Sequence, residues 1–309
     1  MTRPESVPAL TEALRDVGYL ADRGLATTVH VALTLGRPVL LEGEVGVGKT
    51  EIAKALATVL DRRLIRLQCY EGIDTNQALY EWDYARQMLA IRALSERQLA
   101  EDGSVDALFG PRFLLERPLL DAVRAGAGAV LLVDEVDRAD DEFEAFLLEL
   151  LSDFQITIPE IGTIVAEQPP LVVLTSNRTR ELHDALKRRC LYHWVGFPSA
   201  ERELEIVQVR APGVSRRLAE AAVAAVHRLR EMDLAKPPGV AETIDWVQTL
   251  EVMGADDLEP GVADDTLGAV IKDRDDLEQV REDLGWVTSA EPAHRGRGSA
   301  LGRCAEAAT

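Results

Sequence analysis

A glycine-rich loop lies between a short apolar segment and a segment with helical spacing. It reads GEVGVGKT over residues 43–50, in the pattern G-x-x-x-x-G-K-T. The preceding residues 38–42 (PVLLE) are typical of a buried strand, and apolar residues recur at helical intervals over residues 49–60. A strand, a glycine loop and a helix N-terminus in this order bind anions, because backbone N–H groups and the helix dipole point towards negative charge. The sequence therefore predicts a phosphate-binding loop, and an ordinary glycine turn is the alternative.

Each part of this loop has its own task on a nucleoside triphosphate. The glycines let backbone N–H groups turn towards the phosphates, Lys49 reaches the β and γ oxygens, and Thr50 offers its hydroxyl to Mg²⁺. We therefore predict ATP and Mg²⁺ as the ligands. The residues expected to contact them here are Gly43, Glu44, Val45, Gly46, Val47, Gly48, Lys49, Thr50 and Glu51.

An acidic pair ends a second apolar segment. Residues 129–134 (AVLLVD) form a continuous apolar run that is typical of a strand buried on both faces. Asp134 closes the run and Glu135 follows it, at the strand end where ligands bind in open α/β sheets. We expect Asp134 to hold Mg²⁺ together with Thr50, and Glu135 to act as the general base that polarises the attacking water. A strand end that turns polar on reaching solvent is the alternative.

Two further polar positions complete the predicted catalytic set. Residues 171–177 (LVVLTSN) end another apolar run, and we expect Asn177 to orient the water or contact the γ-phosphate; a turn asparagine is the alternative. Residues 186–190 (LKRRC) precede a fifth apolar run. An arginine supplied by a neighbouring subunit stabilises charge in phosphoryl transfer. We assign this role to Arg189, with Arg188 second, and a basic helix end that balances the helix dipole is the alternative.

Apolar strand segments alternate with helical segments over residues 1–198. The predicted strands are residues 38–42, 63–68, 129–134, 171–175 and 191–195. This alternation predicts an α/β fold, with an open parallel sheet and helices on both faces. Outside the strands we predict helices over residues 9–36, 74–99, 114–125 and 141–152, the first with a break near Gly24 and with Asp22 as a cap. We predict a loop over residues 101–111 and a hairpin over residues 154–165. Residues 70–128 show no strong strand pattern.

The strands stop after residue 198, which we take as the domain boundary. Residues 199–289 read as a helical domain, with helices predicted over 199–210, 214–232, 240–252 and 263–284. Residues 231–285 carry sixteen Asp or Glu against four Lys or Arg. The last segment, residues 290–309, is rich in Gly, Ala and Arg, and we expect disorder there.

The overall composition limits the classes of function. The chain has 309 residues, 47% of them hydrophobic, and a formal net charge of −19. The acidic excess argues against a protein that mainly grips nucleic acid, since a phosphate backbone requires a basic surface. The cysteines Cys69, Cys190 and Cys304 form no metal-binding spacing and no disulfide framework, and we expect the first two to be buried and inert. With no apolar leader and no run of about 18 apolar residues, we expect a cytoplasmic protein without a membrane span.

These motifs resemble those of the MoxR family of AAA+ ATPases over roughly residues 10–285. The likeness rests on GEVGVGKTEIAKALA (43–57), LLVDEVDRADDEFEAFLLELLSDFQITIPEIG (131–162), LTSNRTRELHDALKRRC (174–190) and the helical C-terminal part. Within the family, the CoxD-like branch is the most similar, through LYHWVGFP (191–198), ETIDWVQTL (242–250) and DTLGAVIKDRDDL (265–277). That branch is linked to maturation of the molybdenum-copper site of carbon monoxide dehydrogenase.

The resemblance implies a five-stranded αβα core with a C-terminal helical lid, assembled into a ring that is usually a hexamer. It implies that nucleotide lies between subunits and that an arginine finger is donated in trans. It also implies chaperone-like remodelling of a metalloenzyme client, with a partner that carries a von Willebrand factor A (VWA) domain. The family's phosphate-binding lysine, Mg²⁺-binding threonine, Walker B acids, sensor-1 asparagine and arginine finger fall on Lys49, Thr50, Asp134, Glu135, Asn177 and Arg189.

One position departs from the family pattern. Most relatives carry an arginine, called sensor 2, at the start of the third lid helix, whereas residues 238–246 here read PGVAETIDW. The alternatives for this role are Thr243, Asp245 or a basic residue of another subunit. For Thr243 we expect helix capping instead.

Two other functions stay open at the level of sequence. A nucleic-acid motor or clamp loader has the same core, but the acidic charge and the lack of a basic added domain weigh against it. A non-catalytic nucleotide switch or ring scaffold fits the missing sensor-2 arginine, but the presence of Glu135 and Asn177 weighs against it. We therefore favour an ATP-hydrolysing ring that remodels a protein client.

Overall fold

The computed structural model describes residues 4–93 and 106–289. The chain divides between Pro198 and Ser199 into two compact units. This division falls where the sequence changes from alternating strands and helices to helices alone. The expected disorder of residues 290–309 and the first five residues of the expected loop over 101–111 concern residues outside the described part. In the rest of that segment, Asp106–Phe109 and Pro111–Phe113 form short 3-10 helices.

The first unit alternates helices and strands along most of its length. In chain order its elements are α1 (Val7–Asp16), α2 (Arg23–Leu35), β1 (Val39–Gly43), α3 (Lys49–Leu60), β2 (Arg63–Gln68), α4 (Thr75–Leu79), β3 (Tyr80–Trp82), α5 (Tyr84–Ala93), β4 (Leu114–Glu116), α6 (Pro118–Ala125), β5 (Ala129–Asp134), α7 (Asp141–Asp153), β6 (Gln155–Ile158), β7 (Gly162–Val165), β8 (Leu171–Ser176), α8 (Asp184–Arg189) and β9 (Leu191–Val195).

Five strands of this unit form one sheet in the order β2-β5-β8-β1-β9. All neighbouring strands in it are parallel. Gln68 lies opposite Asp134, and Leu41 lies opposite Thr175. The carboxyl ends of the central strands therefore meet at one edge of the sheet. The predicted α/β class with a five-stranded parallel sheet is confirmed.

The sheet is buried on both faces. In β5, Leu131 and Val133 belong to one apolar layer, while Val130 and Leu132 belong to the other. Helices α6 and α7 contribute to the first layer, and helices α1, α2 and α3 to the second. Because both faces are covered, the strand reads as a continuous apolar run instead of an alternating one.

The predictions for the first helices and for the region between β2 and β5 need correction. The early break lies at residues 17–22, not near Gly24, and Asp22 caps α2 by accepting a bond from the Leu25 N–H at 2.9 Å. The long helix predicted over 74–99 is interrupted, because α4 ends at Leu79 and a short strand follows.

That strand, β3, pairs antiparallel with β4 where no strong strand was expected. The helix predicted over residues 114–125 begins only at Pro118. Proline lacks a backbone N–H and is therefore favoured in the first turn of a helix and disfavoured inside it.

The predicted hairpin is present as β6 and β7, which pair antiparallel from Gln155↔Val165 to Ile158↔Gly162. It follows α7 directly, because Phe154 adopts a left-handed conformation that ends the helix. Ile156 and Ile158 pack into the core, whereas most of β7 is exposed. The hairpin is therefore anchored by one strand and solvent-facing along the other.

The second unit is helical. Its elements are α9 (Ala200–Arg210), α10 (Arg216–Glu231), α11 (Val240–Val252), α12 (Pro260–Val270), α13 (Arg274–Glu282) and α14 (Leu284–Val287). The first three agree with the predicted ranges within two residues. The single helix predicted over residues 263–284 is instead split, because Asp273 adopts an extended conformation and starts α13 as its N-cap. Trp246 and Leu267 are fully buried in the core of this unit.

Two cysteines and the apolar character of the helices bear on other predictions. Cys69 and Cys190 are buried free thiols, as expected. Burial raises the pKa of each of them to about 12, so neither is a reactive thiolate near neutral pH. Cys304 lies outside the described residues. In the part of the chain that the structure describes, no helix has the length and apolar character to cross a bilayer.

Candidate nucleotide site

The phosphate loop connects the carboxyl end of β1 to the first turn of α3. At Gly43 a Cβ atom would lie 2.0 Å from the carbonyl oxygen of Val195, so only glycine fits beside strand β9. Gly46 and Gly48 have φ angles of 77° and 92°, which residues with side chains rarely adopt. The three glycines of the motif are thus each required by the backbone path of the loop.

Lys49 is the first residue of α3 and its side chain is almost fully buried. Its ammonium donates hydrogen bonds to the carbonyl oxygens of Gly43 at 2.8 Å and Glu44 at 2.5 Å. Burial lowers the pKa of Lys49, and nearby carboxylates, among which Asp137 acts most strongly, oppose this shift. A partly desolvated cation enclosed by its own loop is suited to bind phosphate oxygens, because an anion would replace the lost hydration.

Thr50, in the first turn of α3, contacts Asp134 at the carboxyl end of β5. The Thr50 hydroxyl donates to Asp134 Oδ1 at 3.0 Å, and the Asp134 side chain is only 4% exposed. A hydroxyl and a carboxylate oxygen in contact, next to a loop that fits phosphates, are the oxygen donors that Mg²⁺ takes together with phosphate and water. The donor set therefore fits Mg²⁺ with a bound nucleotide, and the role of these two residues as its ligands stays a prediction.

Thr175, which the sequence analysis did not single out, joins the two Walker B acids. Its hydroxyl donates to Asp134 Oδ1 at 2.6 Å and accepts the Glu135 N–H at 2.9 Å. Thr175 lies near the end of β8, beside β5 in the sheet. The only signal for it in the sequence is a polar residue at the carboxyl end of a buried strand.

Glu135 adopts a left-handed conformation with φ 54° and ψ 50°. Such a conformation is uncommon for a residue with a side chain and persists where the surroundings fix it, often at functional positions. Here the bond from its N–H to Thr175 provides that restraint. Its carboxylate is one-third exposed and lies 3.4 Å from the guanidinium of Arg138. The predicted general base is thus held by its backbone while its side chain can reach solvent.

Asp137 holds the loop that carries Asn177. This buried carboxylate accepts the N–H of Asn177 at 3.2 Å, the N–H of Thr179 at 2.8 Å and the Thr179 hydroxyl at 2.7 Å. Asn177 directly follows β8 and is followed by Arg178, which has a positive φ of 58°. The sequence analysis quoted Asp137 only as part of a motif, and the structure gives it a role in placing the sensor-1 candidate.

Arg66 contacts the same aspartate from strand β2. Its Nε and Nη2 atoms donate to Asp134 Oδ2 at 3.1 and 2.6 Å. The sequence analysis missed this residue because it appears only as a charge within an alternating strand, RLIRLQ. Both oxygens of the Asp134 carboxylate therefore have donors: Thr50 and Thr175 on one, Arg66 on the other.

The structure places Arg189 at the opposite edge of the sheet from the phosphate loop. Leu191, the first residue of β9, is opposite Val39, the first residue of β1. The length of a five-residue strand, about 16 Å, separates that edge from the loop. The structure thus brings Lys49, Thr50 and Asp134 together within the chain but not Arg189.

The Arg189 guanidinium is engaged within its own chain. It donates to the carbonyl oxygens of Leu151 at 3.3 Å and Ser152 at 2.6 Å, in the last turn of α7. Arg188 differs, because no hydrogen bond or ion pair joins its guanidinium to the described residues 4–93 and 106–289. Glu51, also predicted to contact nucleotide, pairs with Lys54 at 2.5 Å on the same helix.

Thr243 does not cap its helix, contrary to expectation. It is fully buried within α11, and its hydroxyl donates to Glu203 at 2.6 Å and to the Gly239 carbonyl at 3.0 Å. The N-cap of the helix is Gly239, and the side chain of Glu242 accepts the Gly239 N–H at 2.9 Å. The Thr243 hydroxyl serves as a donor to the buried carboxylate of Glu203, and the sequence around Thr243 does not indicate this contact.

The Glu203 carboxylate of α9 accepts hydrogen bonds from two other helices of the second unit, α10 and α11. Besides Thr243, Arg230 donates through both terminal nitrogens at 2.6 and 2.8 Å, and His227 Nε2 lies at 2.9 Å. Burial by itself raises the pKa of Glu203, but the hydrogen bonds and the Arg230 charge outweigh it, so the pKa lies below its ordinary value. Thr243 is therefore committed to the interior of this unit.

Comparison with known proteins supports the reading of the first unit. The family model described as an AAA domain of the dynein-related subfamily matches residues 38–190. This range contains the phosphate loop, both Walker B acids, Asn177 and Arg189.

Individual relatives are distant. Chaperone protein ClpB 2 of Synechocystis sp. is 30% identical over 174 residues, which are 56% of this chain and 17% of the chaperone. An uncharacterised protein of Staphylococcus saprophyticus is 26% identical over 164 residues, which are 51% of this chain and 54% of that protein. Each of these matches thus spans less than two thirds of the relative's own length.

A solved structure of RuvB, the Holliday junction branch migration motor of Thermotoga maritima, is 20% identical to this chain. It covers 89% of this chain and 74% of that chain, with a TM-score of 0.46. The matched family, the five-stranded parallel sheet and the phosphate loop at its carboxyl edge agree with one another. Residues 38–190 therefore form an AAA domain with the AAA+ P-loop NTPase fold.

Proposed function

We propose that this chain binds and hydrolyses ATP at the carboxyl edge of its sheet. The observation that carries the proposal is the contact between Thr50 and Asp134 over 3.0 Å, beside the buried ammonium of Lys49. This contact unites the phosphate loop with the acidic strand end. An accidental glycine turn would not require it.

The proposed roles follow from the geometry. Lys49 binds phosphate oxygens, and the loop N–H groups surround them. Glu135 accepts the proton of the attacking water, because its carboxylate is partly exposed while its backbone is fixed. Asn177 orients that water or contacts the γ-phosphate from a loop that Asp137 holds. Mg²⁺, held through Thr50 and Asp134, would neutralise charge on the phosphate oxygens.

An arginine from a neighbouring subunit completes the site in this proposal. Arg189 is the assigned arginine finger and Arg188 the second candidate. Their position at the amino edge of the sheet supports this assignment, because they lie too far away to serve the phosphate loop of their own chain. A head-to-tail ring, which we propose to be a hexamer, would bring this edge of one subunit to the nucleotide of the next.

The biological role that we propose is chaperone-like remodelling of a metalloenzyme, of the MoxR type and its CoxD-like branch. A VWA-domain protein would be the partner and an enzyme related to carbon monoxide dehydrogenase the client. The support is the motif resemblance, together with the hairpin β6–β7, which is anchored at one strand and solvent-facing at the other. We propose that this hairpin and the second unit, acting as a lid, pass the nucleotide state to the client.

Phosphate release and nucleotide binding by the purified chain test the enzymatic part. We expect Mg²⁺-dependent ATP hydrolysis that Lys49→Ala abolishes, with at least tenfold weaker ATP binding because a charge-assisted bond contributes about 1.5–3 kcal/mol. Lys54→Ala is the matched control, since Lys54 lies on the same helix and its pair with Glu51 is solvent-exposed. Absence of nucleotide binding by the wild type would overturn the proposal.

Affinity capture tests the role in remodelling. A Glu135→Gln variant bound to ATP should retain the client and the partner, and mass spectrometry would identify them. Recovery of a VWA-domain protein and a molybdenum enzyme would support the assignment. Recovery of nucleic-acid-binding proteins with bound DNA would contradict it.

A further inference from the structure

Arg66 reaches Asp134 from the neighbouring strand. In the sheet register Arg66 is opposite Leu132 of β5. The Arg66 side chain extends along β2 and reaches Asp134, two residues after Leu132. Two nitrogens of the Arg66 guanidinium donate to the same oxygen, Oδ2 of Asp134. The Arg66 side chain is half exposed, whereas the Asp134 side chain is almost fully buried. The guanidinium therefore joins a half-exposed side chain to a buried carboxylate.

The two carboxylate oxygens of Asp134 have different partners. Oδ1 accepts the hydroxyls of Thr50 and Thr175, whereas Oδ2 accepts only Arg66 among the described residues. The oxygen next to Thr50 is the one that would face Mg²⁺, and Arg66 binds the other. Its contact is thus compatible with a metal ion at Oδ1, and it restrains the orientation of the carboxylate.

We propose that Arg66 is a positioning residue for the Mg²⁺ site, and this inference rests on the proposed function. Outer partners that hydrogen-bond a metal-binding carboxylate fix its orientation, and their loss typically lowers metal affinity about 10–100-fold. Arg66 meets this description, because it contacts the carboxylate but not the hydroxyl of Thr50. Its planar fork also suits a carboxylate better than the single ammonium of a lysine.

An exposed arginine pair on the same strand provides the comparison. Arg63, three residues earlier on β2, pairs with Asp121 on helix α6. Both partners there have considerable exposure, and surface pairs of this kind contribute little to stability. Arg66 differs in that its partner is buried and belongs to the nucleotide site. Arg63→Ala is therefore the matched control for Arg66→Ala.

The test is a Mg²⁺ titration of nucleotide binding, followed with a non-hydrolysable fluorescent ATP analogue. We expect Arg66→Ala to raise the Mg²⁺ concentration for half-maximal binding about 10–100-fold, while affinity for the analogue in EDTA stays the same. Arg66→Lys should restore part of the shift because it keeps the charge but loses the fork. Arg63→Ala should match the wild type.

The outcomes separate this inference from the proposed function. If the wild type titrates normally and the Mg²⁺ concentration for half-maximal binding is unchanged in both Arg66→Ala and Arg66→Lys, the role of Arg66 is overturned and the proposed function is not. A lowered midpoint would overturn it too, since Arg66 would then compete with the metal. A wild type without Mg²⁺-dependent binding would overturn the proposed function and this inference together. Thermal melting of each variant identifies any loss of folding, and Arg66→Lys preserves the test if Arg66→Ala does not fold.

Discussion

Thr175 donates its hydroxyl proton to Asp134 Oδ1 over 2.6 Å. The same hydroxyl oxygen accepts the N–H of Glu135 at 2.9 Å. One side chain on β8 thus fixes the carboxylate of the metal-binding candidate, which ends β5, and the backbone of the candidate general base, which follows β5. The relative placement of the two acids depends on this hydroxyl, which their own strand does not supply.

Thr175→Val should reduce ATP hydrolysis more than nucleotide binding. Valine has the shape of threonine but leaves the Glu135 N–H without its acceptor and Asp134 without one donor. An unsatisfied buried group costs about 1–3 kcal/mol, so we expect kcat to fall roughly 10–100-fold. Steady-state phosphate release measures kcat, and fluorescence binding of a non-hydrolysable ATP analogue measures affinity.

Thr163→Val is the control for this substitution. Thr163 lies on the exposed strand β7, where its hydroxyl meets that of Thr157 at 3.0 Å. We expect wild-type kinetics for this variant. Unchanged kcat in Thr175→Val would show that the bridging hydroxyl does not support catalysis.

Asp137→Asn should loosen the loop that carries Asn177. The Asp137 carboxylate accepts bonds from three donors: the N–H groups of Asn177 and Thr179 and the Thr179 hydroxyl. The amide of asparagine replaces one accepting oxygen by an NH₂ group, which cannot accept these bonds. Bonds to a charged group contribute about 1.5–3 kcal/mol, so the loss should be large locally. Hydrogen exchange should show reduced protection at residues 177–179, together with slower ATP hydrolysis.

Asp153→Asn serves as the comparison, because Asp153 is exposed at the end of α7. We expect its exchange pattern at residues 177–179 to match the wild type. If Asp137→Asn retains wild-type protection there, Asp137 does not hold the sensor-1 loop.

Mixing two inactive variants tests whether the arginine acts in trans. Arg189→Ala should bind ATP normally but lack hydrolysis, and Lys49→Ala should lack binding. In a mixed ring, the Lys49→Ala subunit donates its intact Arg189 to an Arg189→Ala subunit. With random mixing in equal amounts, about a quarter of the interfaces are complete, and activity should return accordingly.

The same mixing experiment with Arg188→Ala in place of Arg189→Ala shows which of the two arginines acts as the finger. Arg189 also bonds the carbonyls of Leu151 and Ser152, so its loss has a structural component that melting temperatures detect. If Arg188→Ala abolishes hydrolysis and is complemented while Arg189→Ala stays active, the finger is Arg188. If neither variant loses activity, the trans-acting arginine is excluded for both positions.

Glu203 should make the stability of the second unit sensitive to acid. Its pKa in the folded protein is lowered, so its ion pair contributes fully above the unfolded value of about 4.3 and the contribution is lost as pH falls through the folded pKa. Glu203→Gln should cost about 3–5 kcal/mol at pH 7 because it removes the buried carboxylate that balances the charge of Arg230. The difference in free energy of unfolding between the two proteins should shrink below pH 4.3.

Denaturant unfolding of the full chain between pH 7 and pH 3 measures this difference. Glu220→Gln, which breaks an exposed pair with Arg216, is the control and should change stability little at any pH. A constant difference between wild type and Glu203→Gln across this range would refute the proposed linkage.

The residues that could be predicted from sequence are those whose role is encoded by their immediate neighbours. Lys49 and Thr50 follow glycines that the loop backbone requires, and Asp134 and Glu135 end a strand whose apolar run reveals burial on both faces. In the same way, the alternation of such runs with helical segments predicts the parallel sheet. These features are local, so a single sequence contains them.

The residues that could not be predicted act through contacts between distant segments. Thr175 reaches Asp134 across 41 positions, and Arg66 reaches it across 68. Thr243 looked like a cap because its local sequence allows one, but the buried carboxylate of Glu203, 40 positions away, determines its hydrogen bond. Strand pairing and helix packing decide these contacts, and the sequence pattern of one element does not reveal them.

The most direct test of the account is the rate of ATP hydrolysis by Glu135→Gln beside its affinity for ATP. Glutamine keeps the size of the side chain but cannot accept the proton of the attacking water, and a general base contributes about 10²–10⁴-fold to rate. We predict phosphate release at least about 100-fold slower than that of the wild type, with ATP affinity unchanged and ATP-bound rings more stable in size-exclusion chromatography. Wild-type turnover in this variant would contradict the assignment of Glu135 as the catalytic base.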